Sequence, residues 1–132
     1  MKTIEVSSAL IGELIAEAAA AHPHEACGLL LGTNGAVCSI RPCANVHPTP
    51  DTHFEIDPRA LIDAHRAERG GGPRVLGYYH SHPAGPPEPS ATDRAQATAD
   101  GRVWAIVGEG KVGWWQDTAE GFAALSYLAT GG

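Results

Sequence analysis

The chain predicts a single α/β (α+β) domain, a mixed β-sheet flanked by helices, and three observations carry that expectation. Helical spacing of apolar residues opens the chain and returns after Asp57-Pro58. Two turn signals, Gly32-Thr33-Asn34-Gly35 and Gly108-Glu109-Gly110-Lys111, each sit between short apolar runs, as hairpins do. A further run, Arg74-Val75-Leu76-Gly77-Tyr78-Tyr79, follows Gly70-Gly71-Gly72-Pro73 and has the length and β-branched, aromatic character of a buried strand. With 132 residues, 43% of them hydrophobic, one domain spanning residues 1–132 can bury a core, and a second has no room.

Taken in order, Leu10, Ile11, Leu14, Ile15, Ala18 and Ala19 line one face of a helix, with Ser7 or Ser8 as N-cap and Glu13 and Glu17 on the far face. The helix stops near His22-Pro23, because the residue before proline is pushed out of the helical region. Glu25 then falls in a connection or at a first strand position. Cys27 to Leu31 and Ala36 to Ile40 form an antiparallel pair across Asn34-Gly35. Pro42 to Thr52, with Pro48 and Pro50, is a surface loop in which Asn45 reads as a turn residue, and His47 and His53 as loop and strand-edge histidines. Phe54-Glu55-Ile56 reads as a short strand. Asp57 as N-cap and Pro58 at the first helical position then open a helix to Arg69 that packs through Leu61 and Ala64, with Ala60 and Ala67. After the Arg74 strand and a proline-rich bend comes a helix capped by Ser90 and ended by Gly101. Val103–Val107 and Val112–Gln116 make a second hairpin whose tryptophans pack in the core and on the sheet. Phe122 to Leu128 is the last strand, and Gly131-Gly132 a frayed terminus.

Composition excludes several classes. A formal charge of −6 and a pI near 5.5 argue against nucleic acid and acidic membrane as partners, which need clustered Lys and Arg. Cys27, Cys38 and Cys43 are odd in number and hold no Cys-x-x-Cys, so neither a disulfide framework nor a thiolate zinc site is expected, and a reducing cytoplasm fits. Glu5, Glu13 and Glu17 interrupt the candidate signal peptide after Lys2, and no run approaches the roughly 18 apolar residues of a membrane helix.

The chemistry concentrates in His80-Ser81-His82-Pro83 and Ser90-Ala91-Thr92-Asp93. Strand side chains alternate, so His80 and His82 point one way and Ser81 the other. The prolines between them and Ser90 take the chain out of the sheet. Ser90 then has the chemistry of an N-cap and Asp93 the capping-box position, in a first helical turn that returns toward the histidines. Two imidazoles and a carboxylate are the number of protein ligands a catalytic zinc uses while leaving a fourth position to water.

His-x-His-Pro, six residues, then Ser-x-x-Asp resembles the signature of the JAMM metallopeptidases, the catalytically competent members of the MPN (Mov34) domain family. Pro23-His24-Glu25-Ala26-Cys27-Gly28-Leu29-Leu30-Leu31-Gly32 is similar to the first motif of that family, and Asn45 resembles one of its recurring residues. The resemblance implies a curved, deaminase-like mixed sheet and one zinc ion per chain held by His80, His82 and Asp93. It also implies Glu25 as general base and Ser90 as a donor to the developing oxyanion, and leaves His24 without a role. The activity it implies is hydrolysis of peptide or isopeptide bonds after the C-terminal Gly-Gly of a ubiquitin-like or sulfur-carrier protein, with little insertion for gripping a larger partner. A phage-tail or cell-wall peptidase and a metal-free MPN scaffold are the alternatives, and the scaffold predicts lost ligands that are all present here. A nucleobase deaminase would need His-x-Glu and Pro-Cys-x-x-Cys, which are missing.

Overall fold

In a computed structural model describing residues 3–131, the fold is built on one eight-stranded sheet in the order β7-β6-β5-β4-β2-β3-β1-β8. Its elements are β1 (Thr3–Ser7), α1 (Ser8–Ala21), β2 (Cys27–Thr33), β3 (Ala36–Cys43), α2 (Pro58–Arg69), β4 (Arg74–Ser81), α3 (Ala91–Gln96), β5 (Val103–Gly108), β6 (Lys111–Thr118), β7 (Gly121–Ala124) and β8 (Ser126–Thr130). The histidine strand β4 lies inside the sheet, antiparallel to β2 and parallel to β5, so that Cys27, His80 and Ile106 sit in one row. A parallel neighbour requires a crossover. Here the crossover is the proline bend plus α3, and it brings Asp93 back over the end of the strand that carries His80.

The hairpins form where expected. Gly35 takes φ +80° in the first turn, and Glu109 and Gly110 take +54° and +72° in the second, the doubly positive φ of a turn that matches strand twist. Strand β3 runs to Cys43 and so claims the first residues of the expected loop, while Phe54-Glu55-Ile56 contributes an isolated bridge, Asn45 to Ile56, in place of a strand.

The largest correction is at the C-terminal end. Phe122 to Leu128 is two strands on opposite edges of the sheet, β7 beside β6 and β8 beside β1. One residue, Leu125, separates them, and a residue spans at most about 3.6 Å of chain, so the two edges must approach each other and the sheet is rolled. Leu125 is buried and its N–H donates to the Trp114 carbonyl at 2.9 Å, while the Tyr127 ring lies 6.2 Å from that of Trp114. Strand β1, absent from the sequence expectations, closes the roll by pairing parallel with both β3 and β8, with Ile4 and Val6 turned into the core.

Two apolar clusters hold the helices. Leu10 and Leu14 of α1 are buried with Val6, Leu30, Tyr79 and Trp114, whereas Ala64 of α2 packs with Leu29, Ile56 and Val75. Tyr79 packs against Gly28, where a Cβ would meet its ring at 2.4 to 2.6 Å and the Arg41 carbonyl besides. Asp57 caps α2 as expected, accepting from the Arg59 N–H at 3.1 Å. Helix α3 is shorter than expected. It ends at Gln96, and Gly101 lies beyond it in a loop whose Thr98 and Ala99 N–H groups donate to Oδ2 of the buried Asp117 at 3.2 and 3.1 Å.

Candidate metal centre

His80 and His82 point to the same side, as a period of two requires, with Nε2 atoms 3.2 Å apart. Asp93 meets them with both oxygens, Oδ1 3.0 Å from His80 Nε2 and Oδ2 3.0 Å from His82 Nε2. A tetrahedral zinc with bonds of about 2.0–2.2 Å holds neighbouring donors roughly 3.3–3.5 Å apart. The three groups therefore already stand close to the edge lengths of such a site, and among the described residues they form the one cluster of this kind.

Each side chain is set by a different support. The Asp93 carboxylate is anchored through the capping box, Oδ2 accepting from the Ser90 N–H at 2.9 Å while the Asp93 N–H donates to Ser90 Oγ at 3.0 Å. His82 lies just past β4, its N–H donating to the Val107 carbonyl at 2.8 Å and its Nδ1–H to the Pro86 carbonyl at 2.9 Å. Pro86 is itself held because the proline bend packs on β5 and β6, where Gly108 and Gly113 leave no room for a Cβ, and Trp115 Nε1–H donates to the Pro87 carbonyl at 3.1 Å. His80 is fully buried, stacked on Phe54 and edge-on to Trp104. Burial would raise the Asp93 carboxyl, but hydrogen bonds from both histidines outweigh it and hold the group well below the usual carboxylate range. Burial lowers His80, while Asp93 and the Pro86 carbonyl overcome burial and raise His82.

Glu25 lies in the connection before β2, with its side chain buried and Oε1 without a protein partner among the described residues. Burial is the main cause that pushes its carboxyl up to about 7, with His82 opposing and Asp93 adding. Its backbone is clamped on both sides. The Glu25 N–H donates to the Pro50 carbonyl at 2.7 Å, and Asn45 Nδ2 donates to the Glu25 carbonyl at 3.1 Å. Ser81, facing away from the histidines as expected, accepts from the Ala26 N–H at 2.8 Å and so ties this connection to the end of β4. Glu25, His82 and Ser90 share a cleft of about 500 Å³ between the Pro48–Thr52 loop and the proline bend.

Three contributors escape the sequence reading. Asn45 is more than a turn residue, since Nδ2 also reaches the His53 carbonyl at 3.0 Å while Oδ1 accepts from the His47 and Glu55 N–H groups. The visible signal was an Asn two residues before a loop residue whose N–H it could take. Trp115, expected in the core or on a sheet face, anchors the proline bend, and Phe54 covers His80, with no local pattern to announce either. His24 makes an exposed pair with Asp51 at 2.6 Å, and His47 and His53 stack on each other in the loop with centroids 4.6 Å apart.

The profile of prokaryotic homologs of the JAB domain matches residues 7–119. A desampylase of Haloferax volcanii is 37% identical over 107 residues, 79% of this chain and 77% of that protein. A probable TtuB-protein conjugate cleaving protease of Thermus thermophilus is 43% identical over 75 residues, 57% of this chain and 50% of that protein. Tail tip assembly protein K of Escherichia phage N15 is 36% identical over 97 residues, 74% of this chain but 37% of that protein. Among solved structures, a protein of Desulfitobacterium hafniense superposes with a TM-score of 0.84 at 28% identity, over 98% of this chain and 94% of that one.

Proposed function

Since the chain belongs to the family of prokaryotic homologues of the JAB domain, the JAMM/MPN metallopeptidases, we propose that it is a zinc-dependent peptidase. Its bonds are peptide or isopeptide links that follow the C-terminal Gly-Gly of a ubiquitin-like or sulfur-carrier protein. The observation that supports this reading is the convergence of His80, His82 and Asp93 at the floor of a cleft that Glu25 and His82 line, with Glu25 Oε1 lacking a partner among the described residues. Relatives named for desampylation and for cleaving protein conjugates support the substrate class. The cytoplasm is the compartment proposed, consistent with free Cys27, Cys38 and Cys43 and with the lack of any described helix long and apolar enough to cross a membrane.

In this mechanism His80, His82 and Asp93 would hold the ion. Bound there, zinc supplies Lewis acidity to a scissile carbonyl and acidifies water. Glu25 takes the water's proton on its carboxylate and returns it to the leaving amine, a task suited to a carboxyl whose pKa burial has moved toward neutrality. The base and the ligand are separate carboxylates because a carboxylate committed to the ion cannot also shuttle protons freely. Ser90 Oγ accepts from Asp93 N–H, which leaves its own O–H to donate to the oxyanion from the cleft wall, worth a few kcal/mol in comparable sites.

The phage relative favours a second reading, a peptidase of a tail assembly. Incubating zinc-loaded protein with folded Gly-Gly carrier adducts, with the same adducts ending Ala-Ala, and with cell-wall peptides separates the two by mass spectrometry. Cleavage after Gly-Gly and not Ala-Ala is the expected result, and turnover confined to cell-wall peptides would transfer the assignment to the tail reading.

A further inference from the structure

The two histidines are held in different ways. His82 has its second ring nitrogen fixed by the Pro86 carbonyl at 2.9 Å, the arrangement by which metal-bound histidines are ordinarily oriented. His80 Nδ1 has no protein hydrogen-bond partner among the described residues, although the side chain is fully buried. What surrounds it is aromatic. The Phe54 ring lies parallel to the imidazole, centroids 4.4 Å apart and planes 15° apart, while Trp104 meets it edge-on at 5.6 Å and 89°. Phe54 in turn lies edge-on to Trp104 at 5.8 Å, and Trp104 to Phe122 at 4.9 Å.

A ring with nothing holding Nδ1 can still rotate about its last bond and swing Nε2 off the axis it shares with His82 and Asp93. A flat ring stacked on it opposes that rotation, because the contact survives only when the planes stay parallel. We infer that Phe54 is a positioning residue for the metal centre, replacing at His80 the oriented hydrogen bond that Pro86 supplies to His82. The Asn45 network places it, since Nδ2 donates to the His53 carbonyl and Oδ1 accepts from the Glu55 N–H, the residues on either side of Phe54. Phe54 is therefore fixed by its backbone and acts through its face.

This inference rests on His80 being a zinc ligand, so the test keeps the two claims apart. Metal affinity would be measured by chelator competition with zinc, and ligand geometry by the visible spectrum of the cobalt-substituted protein, for the wild type, Phe54→Leu, Phe54→Tyr and Leu61→Ala. Leucine keeps apolar bulk but no plane, tyrosine keeps the plane, and Leu61 packs with the same α2-side cluster. Phe54→Leu should weaken zinc about 10- to 100-fold, the range for losing a group that orients a ligand, and shift the cobalt bands. Phe54→Tyr and Leu61→Ala should stay within about threefold of wild type on that same scale. Wild-type affinity and spectrum in Phe54→Leu would overturn the inference, as would an equal loss in Leu61→Ala or no rescue by tyrosine. Failure of the wild type to bind either metal, or full binding by His80→Ala, would instead remove the ligand assignment beneath it.

Discussion

As the proposed base, Glu25 carries opposing demands: it lies buried beside the cleft, and burial disfavours its charge. The result is a folded-state pKa of about 7 against an ordinary 4.5. Raised in the folded state, the carboxyl contributes stability that is fully present below about pH 4.5 and is lost as pH rises through about 7. Glu25→Gln, of the same size but unable to ionise, removes that loss. The zinc-free variant should melt above zinc-free wild type at about pH 8 and together with it at about pH 4, and parallel melting curves at both pH values would show that the carboxyl is solvated. In the zinc-loaded enzyme the same substitution should keep the metal and lower turnover by about 10²-fold or more, with normal turnover assigning the base elsewhere. Glu25 stood out because Pro23 to Gly32 resembles a family motif, whereas Asn45, though it resembles a recurring family residue, reads locally as a turn residue. The loop it organises is closed by hydrogen bonds to residues as distant as Glu25 and Glu55, and one sequence does not announce such pairs.

Among the elements, α3 was readable at its start and not at its end. Ser90 and Asp93 satisfy local capping rules, and the capping box is there. Nothing near Gln96 stops a helix, because the stop is supplied by Asp117, on β6 and far along the chain. Its carboxylate takes the Thr98 and Ala99 N–H groups, and its own backbone pairs with Gly101 and Arg102 at 2.8 and 3.0 Å. A buried carboxylate with two backbone donors loses both in Asp117→Ala, leaving those N–H groups short of partners at a cost of about 1–3 kcal/mol each where they stay dry. Asp117→Ala should therefore lower the melting temperature of the zinc-free protein, and zinc affinity should fall as well because the loop fixes the end of the helix that presents Asp93. Asp117→Asn, which keeps an acceptor oxygen, should recover most of both. Retention of full zinc affinity by a destabilised Asp117→Ala would confine Asp117 to holding the loop.

At the scale of the whole molecule, local patterns give the hairpins and helices and the family resemblance implies the curved sheet, but neither marks where the roll closes. Local patterns read Phe122 to Leu128 as one strand because nothing in those residues marks Leu125 as the crossing between opposite sheet edges. The crossing is held by Trp114, whose carbonyl takes the N–H of the buried Leu125 and whose ring lies beside that of the exposed Tyr127. The proposed metal centre depends on this closure only indirectly, since β4 lies inside the sheet, but it spans separate pieces of the fold: a strand end, the residue beyond it and the crossover helix. An ion bound by all three is bound by the folded state alone, so it must stabilise that state by RT ln(1 + [Zn]/Kd), about 2.7 kcal/mol at a free zinc concentration of 100 Kd. For a chain of this size that is a rise in melting temperature of roughly 10 °C. Wild type should melt that much higher with zinc than with a chelator, and the rise should track the free zinc concentration logarithmically. His82→Ala, whose zinc-free fold keeps the aromatic packing around His80, should melt at the same temperature in zinc and in chelator. A zinc-dependent rise of equal size in that variant would place the stabilising ion somewhere other than between His80, His82 and Asp93.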